Sequence, residues 1–259
     1  MCRLNSAEAE NIVNKIEQGF NVRVLFAGIS GSHMWGLETP ESDIDVRGIY
    51  VAPLKQVLAL HSGADTIEAT WGNVDIQFYE VKKAFNMLNN NNGNLIELIL
   101  SPTVFWDSKE VDWPKIAKSY IVKKLYRHYK GYYHSQRERA SRNRGGKALL
   151  YTYREIMQGI WLMRKGELVH NFHELKNRFE REFYKLAYID PYIARENWNK
   201  LVSAEELRMF EAEWEALCGV LEREYRSSSL PETYDGYDFL NKTLVDLRLK
   251  VVEEKDNKW

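Results

Sequence analysis

Residues 22–51 constrain the fold more than any other part of this chain. An apolar run from Val22 to Ile29 ends at a Gly-Ser pair, and a second apolar run extends from Ile44 to Val51. Both runs have strand length and are rich in β-branched residues, so we predict two buried β-strands. The loop between them carries a glycine-containing turn at its start and the sequence Asp-Ile-Asp at its end.

The Gly31-Ser32 turn is a candidate anion-binding site. Glycine lets the backbone turn tightly and come close to a ligand. Successive N–H groups in such a turn form a concavity that attracts anions, and a helical turn over Ser32 to Trp35 would add to the same field. The pattern therefore predicts a phosphate site, with His33 as a solvated loop residue.

Acidic residues follow on the next predicted strand. Because alternate residues share one face of a strand, Asp43, Asp45 and Arg47 should point the same way. Two carboxylates in such an arrangement suit a hard divalent cation. Arg47 could neutralise the carboxylates, contact a phosphate or form a structural ion pair, and the pattern leaves these choices open.

A third carboxylate lies on a predicted hairpin, with arms at residues 65–71 and 74–80 and a turn at Gly72-Asn73. Asp75 comes early in the second arm. If that arm lies beside the strand of Asp45, three carboxylates converge, which is the donor set of a two-metal site with ions about 3.5–4 Å apart. A phosphate turn with such a site points to nucleotidyl transfer from an NTP.

The periodicity changes after Trp113-Pro114. Before it, the pattern predicts a capped helix from Asn5 to about residue 19, the strands above, short helices and a last strand near residue 105. After it, the pattern predicts helices at 116–133, 147–165, 174–188, 204–226 and 237–253. We therefore predict an α+β protein: a small mixed β-sheet domain over residues 1–112, then an α-helical domain over 113–259.

A basic segment lies in the helical half. From Lys123 to Lys147 there are nine Lys and Arg residues against one Glu, or +8 locally, and four tyrosines are interleaved with them. Such a segment can hold single-stranded nucleic acid or a triphosphate; it can equally be a solvated helix face. The candidate RNA contacts are Arg137, Arg139, Arg142 and Arg144.

Composition narrows the class of protein. The chain has only two cysteines, Cys2 and Cys218, which argues against a disulfide framework or a zinc site. No stretch approaches the ~20 apolar residues of a membrane span, and the N-terminus lacks the apolar core of a signal peptide. These features predict a cytoplasmic protein without a membrane partner.

The motifs together resemble the nucleotidyltransferase superfamily of DNA polymerase beta. Gly31-Ser32, Trp35-Gly36, Asp43-x-Asp45 and Asp75 match its core. The segments GSHMWGL, SDIDVRGIYV and VDIQFYE are similar to the predicted nucleotidyltransferases found beside RNA ligases and other RNA-repair genes. The resemblance covers residues 20–110, with a weaker echo at residues 147–154.

The resemblance implies specific roles. Gly31 and Ser32 would hold the β- and γ-phosphates of an NTP. Two Mg²⁺ (or Mn²⁺) ions would bind the catalytic aspartates 43, 45 and 75, and the last would help to deprotonate the acceptor hydroxyl. In related enzymes a helical domain supplies a lysine for the triphosphate and an aromatic residue for the base. The candidates, on one face of a helix, are Lys147, Tyr151 and Arg154.

The implied reaction moves an NMP from an NTP to an acceptor hydroxyl and releases pyrophosphate. The favoured acceptor is an RNA end, such as a damaged tRNA 3′ end. One alternative is a protein hydroxyl, as in antitoxins that nucleotidylate a toxin partner. Another is a module that binds nucleotides or RNA without turnover.

Overall fold

The computed structural model describes residues 4–60, 62–182, 189 and 201–256, which form five strands and eleven helices. The strands are β1 (Arg23–Ser30), β2 (Ile44–Val51), β3 (Thr66–Trp71), β4 (Val74–Glu80) and β5 (Val104–Asp107). The helices are α1 (Ser6–Phe20), α2 (Gly31–Trp35), α3 (Leu54–Leu58), α4 (Val81–Asn89), α5 (Gly93–Leu100), α6 (Trp113–Ser119), α7 (Leu125–Asn143), α8 (Gly146–Lys165), α9 (Phe172–Glu182), α10 (Ala204–Ser227) and α11 (Tyr237–Asp256). The predicted α+β class is confirmed. None of the described helices has the length and apolarity needed to cross a membrane.

The five strands form one mixed sheet in the order β3-β4-β2-β1-β5. Strands β2 and β4 are parallel, and the other neighbours are antiparallel. The predicted hairpin is therefore present, and its second arm lies beside the strand of Asp45. This parallel pairing brings the acidic starts of the two strands to the same edge of the sheet.

Helices cover both faces of the sheet. On one face, Ile12 and Ile16 of α1 pack with Val46, Tyr50 and other buried strand residues. On the opposite face, α5 approaches β1 so closely that a Cβ on Gly28 would lie 3.2 Å from Leu98 Cδ1. The predicted capping box of α1 is also present, because Asn5 and Glu8 each accept from the other's backbone N–H at 2.9 Å.

The chain forms two compact units whose limits differ from the predicted division after residue 112. Residues up to Tyr120 and from Asp235 onward form the sheet unit, and residues 121–234 form the helical unit. The predicted helix at 116–133 is two helices, α6 and α7. Helix α6 belongs to the sheet unit because Trp113 is buried against the rings of Phe26 and Phe85.

The last helix belongs to the sheet unit because it is anchored there by an ion pair. Arg248 of α11 lies 2.9 Å from Glu80, at the end of β4. Helical periodicity could place this helix along the chain but could not show which unit it packs on.

Helix α8 is the central element of the helical unit. Sixteen of its twenty residues are buried, and α7, α9 and α10 pack around it. The predicted helices at 147–165 and 204–226 match α8 and α10 to within a residue at each end. The prediction for 174–188 is met by α9 as far as Glu182. The rest of that span lies outside the described residues.

Candidate active site

Three neighbouring strands bring the predicted site residues of the sheet unit together. In the sheet register, Asp45 of β2 lies opposite Ser30 of β1 on one side and opposite Asp75 of β4 on the other. Ser30 directly precedes the Gly31-Ser32 turn. The turn and two of the three predicted carboxylates therefore lie at one edge of the sheet.

The turn itself is shaped around Asp45. Gly31 has a φ of +63°, and a Cβ at this position would lie 3.0 Å from Asp45 Cγ and inside van der Waals contact with Asp45 Oδ2. Ser32 is buried, and its carbonyl accepts from Gly36 and Leu37 where the short helix α2 ends. Glycine is thus required at position 31 both by the backbone conformation and by the carboxylate packed against it.

Arg47 joins the two carboxylates. Its Nη2 donates to Asp45 Oδ1 at 2.9 Å and to Asp75 Oδ2 at 2.8 Å. Its Nη1 donates to the carbonyls of Val46 and Asp75 at 3.1 and 3.0 Å. Of the roles that the sequence left open for Arg47, the structure shows the ion pair, and it confirms that Asp45 and Arg47 share a face.

The third predicted metal ligand, Asp43, is exposed and precedes the first paired residue of β2. Its loop is ordered by Ser42, whose hydroxyl accepts from the Thr39 N–H at 2.8 Å. No group of three His, Cys, Asp or Glu side chains among the described residues is placed to hold a metal ion. Of the three predicted carboxylates, the sheet therefore places Asp45 and Asp75 side by side, and the metal-binding role of Asp43 stays a prediction.

The chemistry of this pair fits a divalent cation. Both carboxylates already share one positively charged donor, Nη2 of Arg47, so a single cation can contact both. Their side chains keep 31% and 48% of their surface exposed, which leaves them accessible. Carboxylate oxygens are the ligands that Mg²⁺ uses in proteins.

His33 is a residue whose environment the sequence did not predict. It is buried rather than solvated, and neither ring nitrogen has a hydrogen-bond partner in the part of the chain that the structure describes. It lies directly after Ser32, in the turn beside Asp45. The apolar residues that follow it, Met34 and Trp35, were the available signal that this segment packs inward.

The candidate nucleotide contacts on α8 do not share one accessible face. Lys147 is exposed, with its ammonium 5.7 Å from the ring centroid of Tyr151. Arg154 is 2% exposed and lies 2.7 Å from Glu155 in the core of the helical unit. The structure therefore gives Arg154 a core ion pair, because α8 is buried on nearly every side. The roles predicted for Lys147 and Tyr151 stay predictions.

The basic segment is partly neutralised within the helical unit. Four of its nine cations are in ion pairs: Lys123 with Glu232, Lys130 with Glu222, Arg137 with Glu215 and Arg142 with Glu138. Its tyrosines are also engaged, since two are buried and Tyr126 stacks on Tyr225 at 4.2 Å between ring centroids. Burial also raises the pKa of Tyr133, one of these two buried tyrosines, to about 12. Arg139 and Arg144 remain exposed.

The fold and the paired motifs define a nucleotidyltransferase-like protein of the DNA polymerase beta superfamily. The model of one family, described as RlaP, the RNA repair pathway DNA polymerase beta family, matches residues 6–246. The chain therefore belongs to the RNA repair pathway DNA polymerase beta family.

Two relatives show how far the similarity extends along the chain. The uncharacterized protein MJ0002 of Methanocaldococcus jannaschii is 34% identical over 160 residues, which are 59% of this chain and 65% of that protein. The uncharacterized protein YcgL of Bacillus subtilis is 25% identical over 168 residues, which are 60% of this chain and 62% of that protein. The chain thus spans slightly less than two thirds of either relative.

Proposed function

We propose that this chain transfers an NMP from an NTP to a hydroxyl at an RNA end and releases pyrophosphate. The main observation in support of this proposal is that Asp45 is in register with Asp75 and is packed against Gly31. This arrangement supports a single site in which the proposed phosphate-binding turn lies beside the acidic pair. Membership in an RNA-repair family supports RNA as the acceptor.

In the proposed mechanism, the phosphates of the NTP lie on the turn, where Gly31 has no side chain to exclude them and Ser32 donates hydrogen bonds. Asp43, Asp45 and Asp75 would hold Mg²⁺ or Mn²⁺, which when bound supplies Lewis-acid stabilisation of the phosphate charge. Asp75 accepts the proton of the acceptor hydroxyl. The hydroxyl oxygen forms a bond to the α-phosphorus as the bond to the β-phosphate oxygen breaks.

Incubation with each α-labelled NTP, Mg²⁺ and RNA tests this proposal. We expect labelled RNA from the wild type and at least about a hundredfold slower transfer from Asp45→Asn, which loses a metal ligand, and from Asp75→Asn, which also loses the proton acceptor. Asp246→Asn, at an exposed position on α11, is the matched control and should keep wild-type activity. Near-wild-type transfer in either site variant would refute the assigned role.

The labelled product separates the proposal from its alternatives. Label on a protein in a lysate, with none on RNA, would replace it with protein nucleotidylation. Nucleotide binding with no labelled product for any NTP would replace it with a binding module.

Metal binding gives a readout that does not need turnover. Because Arg47 occupies the carboxylate oxygens that a cation needs, Arg47→Gln should bind Mn²⁺ several-fold more tightly than the wild type. Titration followed by the electron paramagnetic resonance of free Mn²⁺ measures this directly. Weaker Mn²⁺ binding in the variant would show that Arg47 does not compete for the site.

We also propose that Arg139 and Arg144 contact the RNA backbone, because they are exposed and carry no ion pair among the described residues. Each neutralised phosphate of a single strand contributes about 0.7 to the slope of log affinity against log salt, so the double Gln variant should lower the slope by about 1.4. A control variant with Arg208→Gln and Arg223→Gln changes two exposed arginines on α10. An equal slope in wild type and test variant would refute this contact.

A further inference from the structure

A cavity lies in the sheet unit, at the opposite end of β4 from Asp75. Its volume is ≈ 320 Å³. Glu80, at the cavity, lies five positions along β4 from Asp75, or about 16 Å at the usual rise of a strand, so the cavity is distinct from the candidate active site. Its lining combines a small apolar wall with charged and amide groups: Ala52, Val57, Ser62, Gly63, Ala64, Asp65, Glu80, Lys82, Lys83, Asn86 and Arg248.

One of the two terminal guanidinium nitrogens of Arg248 is available as a hydrogen-bond donor at this cavity. Its Nη2 donates to Glu80 Oε1 at 2.9 Å, and both side chains are only 10% exposed. Its Nη1 is buried and has no acceptor among the described residues. A buried donor of a charged group that lacks an acceptor is costly, so an acceptor entering the cavity would stabilise this arrangement.

Glu80 does not supply an acceptor for Nη1 of Arg248, because both of its carboxylate oxygens already accept other hydrogen bonds. Oε1 accepts from Arg248 and, at 3.5 Å, from the Ala52 N–H. Oε2 accepts from the Lys82 N–H at 2.8 Å and caps the first turn of α4. The carboxylate therefore orients Arg248 without occupying its second nitrogen.

The remaining charges leave the cavity positive. Lys83 is paired with Asp65 at 2.8 Å, a hydrogen bond that holds the pKa of Asp65 below its usual value. Lys82 is exposed and carries no ion pair within the described part of the chain. With three cations against two anions lining the cavity, the net charge is +1, and the uncompensated cation is Lys82.

We propose that this cavity binds a phosphate group, which accepts hydrogen bonds from Lys82, Arg248 and Asn86. Arginine donors match the geometry of phosphate oxygens, and the first turn of α4 adds its positive dipole end. The volume lies within the range of small-molecule sites, and Ala52 and Val57 supply an apolar wall for the organic part of a phosphate ester. The phosphate can belong to a free small molecule or to an RNA terminus.

Calorimetric titration of the full chain with inorganic phosphate, in EDTA to prevent metal-bridged binding, tests the proposal. We expect saturable binding to the wild type and about tenfold weaker binding to Lys82→Gln, the loss of one charged hydrogen bond. Lys55→Gln makes the same charge change at an exposed position of α3 outside the cavity and should bind as the wild type does.

Arg248→Lys tests the role of Nη1. Lysine keeps the positive charge beside Glu80 but lacks the second guanidinium nitrogen, so we expect weaker phosphate binding in this variant. Titrations with AMP and with short RNAs that carry or lack a 5′-phosphate then distinguish the source of the phosphate. The natural type of ligand is the one whose affinity falls in Lys82→Gln. Absence of saturable phosphate binding, wild-type affinity in Lys82→Gln, or equal losses in Lys82→Gln and Lys55→Gln would each overturn the proposal.

Discussion

Replacing Gly31 with alanine probes the contact between the phosphate turn and the acidic pair. The new Cβ meets two penalties. The first is the left-handed backbone conformation, φ +63°, which costs a residue with a Cβ about 1–2 kcal/mol. The second is Asp45, whose carboxylate has to turn away because the Cβ would lie 3.0 Å from its Cγ.

The second penalty can be estimated from the ion pair that is lost. Turning Asp45 away breaks its 2.9 Å contact with Arg47, a partly exposed pair worth about 0.2–1 kcal/mol. Gly31→Ala should therefore lower the free energy of unfolding by about 2 kcal/mol in the wild type. In an Asp45→Ala background only the backbone penalty remains, so the cost of Gly31→Ala should be smaller by the ion-pair contribution, about 0.2–1 kcal/mol.

Urea denaturation of the four proteins in this double-mutant cycle, followed by tryptophan fluorescence, measures the coupling. Gly72→Ala is the matched control, because Gly72 also has a φ of +63° but has no atom within 4 Å of the Cβ position. Gly72→Ala should lower the free energy of unfolding by the backbone penalty alone, both in the wild type and in the Asp45→Ala variant. Equal costs for Gly31→Ala with and without Asp45 would refute the packing of the carboxylate against the turn.

Other predictions follow from packing and burial. Gly48→Ala should lower the melting temperature by an amount equivalent to about 1–3 kcal/mol, because its Cβ would overlap the ring of Phe78. Gly131→Ala, in an open position of α7, should raise stability by about 0.5–1 kcal/mol; circular dichroism melts of both variants would reveal any departure from these opposite signs. Glu213 accepts a hydrogen bond from the Tyr153 hydroxyl, and burial raises the pKa of its carboxyl above the ordinary value of 4.5. The protonated carboxyl therefore favours the folded state, and this stabilisation is lost as the pH rises from 4.5 through the pKa of the folded protein. Glu213→Gln should consequently be more stable than the wild type at neutral pH, with a difference that disappears below pH 4.5 in denaturation at several pH values.

Local patterns in the sequence were sufficient for most elements and for part of the site. Alternating and continuous apolar runs identified β1, β2 and the hairpin, because the period of a strand is visible in which residues are buried. The motif spacing also placed Asp45 and Arg47 on one face, and the structure shows them in direct contact. These features depend on neighbours in the chain, so they can be predicted without knowing the fold.

Tertiary structure decided every feature that depends on residues distant in sequence. The parallel pairing of β2 with β4 determined that Asp75, 30 positions from Asp45, shares Arg47 with it. Packing around α8 placed Arg154 in the core, although its helical spacing matched that of an exposed face. An ion pair across 168 positions joined Arg248 to Glu80, and both residues line the cavity at the far end of β4. Sequence periodicity reports which side of an element is apolar, whereas only the folded chain determines which element covers it.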